Sequence, residues 1–170
     1  HNAKVIAIAG GLGSFDPRKP YIKNINKYEG NGVEYMIKDT KVFKNKNIII
    51  SGGGDSALDW TIELQKITRK VTLVHRRTEF RGAFDSIEKV QKLKNNFLND
   101  VITPGEVIGL RGEKKLESVR IKINDEEKEM NTDFFIPLFG LIPKLDKISN
   151  WGLEIRKNSI CVHNALDYQT

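Results

Sequence analysis

The spacing of apolar positions changes from region to region along this chain, and each change predicts a different element. Ile48–Ile50 is a short β-branched run, followed by Gly52–Gly54 and then by Ala57, Thr61, Leu64 and Ile67 on one helical face. Strand, glycine turn and helix are predicted in that order. Val71–Val74 supplies the next strand. After a polar, arginine-rich loop, Phe84, Ile87, Val90 or Gln91, Lys94 and Phe97 predict a second helix, with Asp85 and Glu88 in its first turn where the helix dipole favours negative charge. Past Asn99 the pattern shortens to alternating segments, Val107–Leu110, Val119–Ile123 and Glu129–Asn131, divided by Gly112 and by Asn124–Asp125. This predicts an antiparallel meander. Asp133–Phe139 is nearly unbroken apolar sequence, as expected of a strand covered on both faces of a parallel sheet, and Gly140 and Pro143 end it. Leu153–Arg156 and Ile160–Val162 around Asn158–Ser159 predict a small hairpin. Near the start, Lys4–Ala9 reads as a strand running into Gly10–Gly13, and Pro17 and Pro20 make residues 14–45 look like a connector.

Composition narrows the function classes. The 170 residues include 28 Lys+Arg and 22 Asp+Glu, a formal net charge of +6, and 39% are hydrophobic. That apolar share supports a folded core and fits one domain. Val5–Ala9 and Phe134–Gly140 are the longest apolar runs and fall far short of the ~18 residues a bilayer span needs, so no membrane association is predicted. Cys161 stands alone and cannot make an internal disulfide or a CxxC pair, while His1, His75 and His163 have no metal-ligand spacing. No metal is expected, and a reducing, cytoplasmic setting is. Basic residues are spread among acids and aromatic residues are only 8%, which argues against nucleic acid as a partner. Opening at His1 and running almost at once into a strand-like stretch, the chain reads as a piece of a longer protein.

The stretch richest in chemistry is Gly52-x-Gly54-x-x-Ala57, directly after one strand and at the start of a helix. That context is what a dinucleotide-binding turn requires. Gly52 permits the tight turn, Gly54 keeps the backbone open to a pyrophosphate, and Ala57 lets helix and strand pack closely. Unpaired N–H groups at the helix start then face the anion. Where the second strand of an NAD site would end in Asp or Glu, this chain has His75-Arg76-Arg77, and Arg81 lies four residues beyond Arg77. Carboxylates repel a 2′-phosphate, whereas guanidinium groups offer it paired donors, so NADP is expected over NAD. His75 has three open readings, a member of this phosphate-binding cluster, a ring packed on the adenine or a side chain that caps the loop.

Gly52-Gly53-Gly54-Asp55-Ser56-Ala57 together with His75-Arg76-Arg77-x-x-Phe80-Arg81 resembles the NADPH-binding domain of two-domain flavin reductases of the thioredoxin reductase type. The resemblance covers most of the chain. It implies an α/β, Rossmann-like domain of three layers, a parallel central sheet with helices on one face and an antiparallel meander on the other. It also places Gly52–Ala57 on the pyrophosphate, His75, Arg76, Arg77 and Arg81 around the 2′-phosphate, and the strand end at Gly140 and Pro143 over the nucleotide. Residues 1–20 are similar to the end of the first half of an FAD domain. Residues 21–45 would be a hinge, 46–145 the NADP-binding domain, and 146–170 a closing hairpin and return segment.

Thioredoxin reductases carry a redox CxxC shortly before the glycine turn, and the corresponding Gly32-Val33-Glu34-Tyr35-Met36-Ile37-Lys38-Asp39 holds no cysteine. Disulfide reduction is thereby excluded, since a dithiol must accept the electrons. The cysteine-free segment, with Asn150-Trp151-Gly152-Leu153, looks most like the ferredoxin–NADP reductases built on the same scaffold. That implies hydride exchange between NADPH and FAD in the full-length protein, then electron transfer with a ferredoxin or flavodoxin. On this reading the chain alone binds NADP(H), has an incomplete FAD site, contributes no catalytic residue and is inactive by itself. A thioredoxin-reductase-like oxidoreductase and a stand-alone NADP-binding module remain as alternatives. A homodimer is among the assemblies expected of the full-length protein.

Overall fold

The computed structural model describes residues 4–8, 14–93, 99–157 and 159–163. In chain order the elements begin with β1 (Ser14–Pro17), β2 (Asn47–Ser51), α1 (Asp55–Leu64), β3 (Lys70–Val74) and α2 (Phe84–Leu93). They continue with β4 (Asn99–Ile102), β5 (Glu106–Arg111), β6 (Ser118–Ile123), β7 (Glu126–Asn131) and β8 (Phe134–Pro137). Last come β9 (Leu141–Lys144), β10 (Ile155–Arg156) and β11 (Ser159–Ile160). The chain divides into two compact units, Lys19–Phe139 and the combination of residues 1–18 with 140–170. Among the described residues no helix is long and apolar enough to cross a membrane.

In the larger unit a parallel sheet runs in the order β4-β3-β2-β8. Its strands alternate their side chains between two cores, as the period of two dictates. Ile48, Ile50, Val71, Leu73 and Ile136 join Ala57, Leu58 and Leu64 of α1 and Val90 of α2 in one buried cluster. Ile49, Val74 and Phe135 point the other way, into a cluster with Val107 of β5 and Val119 and Ile121 of β6. The meander itself runs in the order β5-β6-β7 and is antiparallel. Helices, parallel sheet and meander therefore form three layers, as the resemblance implies.

The stretch after Pro20 differs from the expected connector. Ile22, Ile25, Tyr28 and Val33 are buried on the meander side, and Phe43 is buried on the helix side with its ring edge-on to Phe134 at 4.8 Å. Two 3-10 turns, Ile25–Tyr28 and Thr40–Phe43, present three of these side chains. Val33 also forms a parallel bridge to Phe135, with the Phe135 N–H donating to the Gly32 carbonyl at 2.7 Å. Irregular backbone hides a regular job: these apolar residues complete the cores on both faces of the sheet without any helical or strand period to announce them. The sheet also gains β4, which the sequence pattern did not predict. The second helix is described only through Leu93, so the predicted positions Lys94 and Phe97 lie outside the described residues.

In the smaller unit β1 pairs antiparallel with β9, Ser14 opposite Lys144 and Pro17 opposite Leu141. Asp16 and Lys144 form an ion pair of 2.6 Å across this ladder. The predicted hairpin is present and short, with Ile155 opposite Ile160. Residues 4–8 are not a strand, contrary to expectation, and Val5 and Ile6 are 84% and 69% exposed. A strand needs a ladder partner for its backbone groups, and no described strand lies beside this run. The predicted glycine turn at 10–13 falls outside the described residues.

Candidate functional site

After Ser51, the end of β2, the chain turns through Gly52, Gly53 and Gly54 into α1. The Gly52 N–H donates to the Val74 carbonyl at 3.1 Å, tying the turn to the end of β3. A β-carbon on Gly52 would sit 2.7 Å from the Leu138 carbonyl oxygen and 2.8 Å from Ala57 Cβ. Both neighbours are main chain or fixed to it, so only glycine at 52, facing the buried Ala57, allows the helix to start this close to the sheet. Gly54 is different: nothing lies within 4 Å of where its β-carbon would be, and its φ of −101° is open to any residue. Its lack of a side chain matters for access.

Helix α1 starts without a side-chain cap, and among the described residues the N–H groups of Gly53, Gly54, Asp55 and Ser56 have no protein acceptor. Four successive N–H donors without a protein acceptor, an open approach at Gly54 and the positive end of a ten-residue helix fit the phosphates of a dinucleotide. Asp55 would oppose such an anion, but its Oδ1 accepts the Ala83 N–H at 2.7 Å and so ties it to the loop that follows β3.

That loop begins at His75, whose N–H donates to the Ile102 carbonyl and whose carbonyl accepts from Gly105 at 2.8 Å. His75 as a residue is 9% exposed, and its ring lies over Gly53, where an added β-carbon would meet three ring atoms at 2.2 to 2.5 Å. It stacks on Phe80 at 5.3 Å, and Nε2 lies 3.0 Å from the Glu79 carbonyl. A carbonyl only accepts, so Nε2 carries the hydrogen and donates it. Burial is the main cause that holds the His75 pKa below its usual value; the Glu79 hydrogen bond opposes it, and the Arg76 and Arg81 charges reinforce it. The loop then returns to the turn, with the Arg81 N–H donating to the Gly53 carbonyl at 2.7 Å.

The predicted residues Gly52, Gly53, Gly54, Asp55, Ala57, His75 and Arg81 are thus brought together, and Arg76 is close enough to act on His75 electrostatically. Ser56 is exposed in the first helical turn, and Arg77 is exposed on the same loop. Among the described residues none of Arg76, Arg77 and Arg81 is paired with a carboxylate, which leaves all three guanidinium groups available to a ligand. Gly140 belongs to the smaller unit, where its carbonyl accepts the Arg18 N–H at 2.9 Å. Sequence reasoning missed the Asp55–Ala83 tie and the fit at Gly82, whose β-carbon would lie 2.4 Å from Leu58 Cδ1 and 3.0 Å from Asp55 Oδ1. The signal was the Gly82-Ala83 pair itself, small residues where a loop must cross a helix start.

The sequence profile of the pyridine nucleotide-disulphide oxidoreductase family matches residues 1–170. The chain belongs to this family. Members with similar sequences include a ferredoxin–NADP reductase of Flavobacterium psychrophilum, 61% identical over 100% of this chain and 49% of that one. Another from Flavobacterium johnsoniae is 58% identical over 99% of this chain and 48% of that one. The chain spans about half the length of the curated relatives it matches. Among solved structures, the thioredoxin reductase of Lactococcus lactis superposes with a TM-score of 0.73 at 26% identity, over 86% of this chain and 48% of that one. The fold is therefore shared with a solved thioredoxin reductase.

Proposed function

We propose that this chain is the NADP(H)-binding part of an FAD-dependent ferredoxin–NADP or flavodoxin–NADP reductase. The observation that carries the proposal is the pairing of two segments: a glycine turn with free N–H donors, and an arginine loop hydrogen-bonded back onto it through Arg81 and Gly53. The names of the sequence relatives support the same reading. Bound here, NADPH supplies the hydride that a flavin elsewhere in the full-length protein accepts. The chain's own residues bind and orient. The N–H groups of residues 53–56 hold the pyrophosphate; Gly52 and Ala57 set the helix close enough to present them, and Gly54 leaves the path clear. Arg76, Arg77 and Arg81 select for the 2′-phosphate by charge-assisted hydrogen bonds.

The rest of the proposal concerns the whole protein. Residues 46–145 act as the nucleotide domain, with 21–45 packed into its two cores in place of the expected hinge; residues 1–20 and 146–170 lead towards a flavin domain. The lone cysteine of this chain, Cys161, fits a cytoplasmic setting. Calorimetry on the full-length protein tests the core of this reading. NADPH should bind more tightly than NADH, and Arg76→Ala with Arg77→Ala should remove most of the difference; equal affinities in the unaltered protein would sink it.

A further inference from the structure

We propose that His75 is a positioning residue: its ring, keyed over Gly53 and braced by Phe80 and the Glu79 carbonyl, sets where Arg76 and Arg81 present their guanidinium groups, and it does not itself touch the 2′-phosphate. This rests on the NADP reading above and adds to it a division of labour within the basic cluster.

Three features carry the argument. First, the ring is buried and its position is over-determined, with Gly53 beneath it, Phe80 stacked at an interplanar angle of 21° and the Glu79 carbonyl at 3.0 Å. Second, the main chain on either side is pinned to the same scaffold, His75 to Ile102 and Gly105, Arg81 to Gly53, Ala83 to Asp55. The segment 76–80 is therefore a short loop closed at its first end on the end of β4 and at its second on the glycine turn, and the imidazole is the plug inside it. Third, the chemistry of the ring suits a spacer better than an anion ligand. With its hydrogen on Nε2 and donated to Glu79, a neutral imidazole offers only a lone pair at Nδ1, which repels a phosphate oxygen. Making Nδ1 a donor requires a second proton, placing a buried cation beside Arg76 and Arg81. Holding two arginines in position beforehand lowers the ordering cost that long side chains otherwise bring to binding.

The test uses the full-length protein with 2′,5′-ADP and 5′-AMP as probes, which differ only in the 2′-phosphate. The ratio of their dissociation constants by calorimetry measures discrimination. His75→Ala should lower that ratio by roughly tenfold, about the worth of one charge-assisted hydrogen bond, while 5′-AMP binding stays within about twofold. Gly53→Ala keeps the imidazole but drives a β-carbon into it, and it should lower the ratio in the same direction. This second variant preserves the test should His75→Ala fail to fold. In histidine-labelled protein at pH 7, saturating 2′,5′-ADP should leave the His75 NMR signals those of a neutral ring protonated at Nε2. An imidazolium, a new Nδ1 proton bridged to phosphate, or an unchanged ratio in both variants would overturn the positioning role. Equal binding of the two probes by the unaltered protein would instead overturn the NADP reading, and this inference with it.

Discussion

Two glycines of one turn should fail in opposite ways when each is given a single methyl group. At Gly52 the new β-carbon meets the Leu138 carbonyl oxygen at 2.7 Å and Ala57 Cβ at 2.8 Å, against an ordinary contact distance of 3.4 Å or more. Neither neighbour can swing aside, so α1 must move away from β2 and β8 by more than half an ångström. Overpacking of this kind costs about 1–3 kcal/mol, and Gly52→Ala should lie near the middle of that range. At Gly54 the same carbon meets nothing within 4 Å. There the loss of a favourable helix cap and the reduced freedom of the unfolded chain oppose one another, each worth about 0.5–1 kcal/mol, so stability should stay within roughly 0.5 kcal/mol of the unaltered protein. Binding should reverse the order of damage. A methyl group at Gly54 stands in the approach to the free N–H groups and should weaken NADPH binding at least about tenfold, or 1.4 kcal/mol. Urea unfolding gives the stability of each variant, with a shifted midpoint and an unchanged slope expected for Gly52→Ala. Calorimetry gives the affinity. Gly54→Ala binding NADPH as the unaltered protein does would refute the anion seat, and Gly52→Ala unfolding at the unaltered midpoint would refute the packing argument.

Two further measurements address the surroundings of the turn. Because the folded state holds the His75 pKa below the value of 6.5 expected when unfolded, the unfolded chain binds that proton first as pH falls. The stabilisation is fully present above pH 6.5 and declines as pH drops towards the folded value, so His75→Gln should flatten this part of the stability profile; a profile unchanged in that variant would rule out His75 as its source. Phe43 is 1% exposed and packs edge-on against Phe134, so Phe43→Ala should cost about 3–5 kcal/mol in chemical denaturation. A loss under 1 kcal/mol would mean that residues 21–45 do not contribute to the core as described.

What was legible in the sequence was local and periodic. Ile48–Ile50, Ala57–Leu64 and Val71–Val74 each carry one element's spacing, and the glycine turn joins the first two, so β2, α1 and β3 could be located from the chain alone. The meander was legible for the same reason, since Val119 and Ile121 alternate with Arg120 and Lys122. Ile22, Ile25, Tyr28, Val33 and Phe43 were not, because each is buried by a partner distant in sequence and none follows a period. β4 escaped because Asn99 and Asp100 break the apolar run of an edge strand, and Lys70 offsets Asp100 with an ion pair of 2.6 Å that only the sheet register reveals. In the site, the arginines could be placed by their distance from the turn. The burial of His75 against the turn depends on Gly53, a position whose lack of a side chain the dinucleotide pattern itself leaves open.

β2 lies between two hydrophobic cores, with Ile48 and Ile50 belonging to one and Ile49 to the other. Exchanging one aliphatic side chain for another here is a local repair. Deleting or inserting a single residue would invert the strand, sending Ile49 towards the helices and its neighbours towards the meander, and would carry the glycine turn out of step with β8 at the same time. In the course of descent this strand should therefore drift in identity while remaining fixed in length.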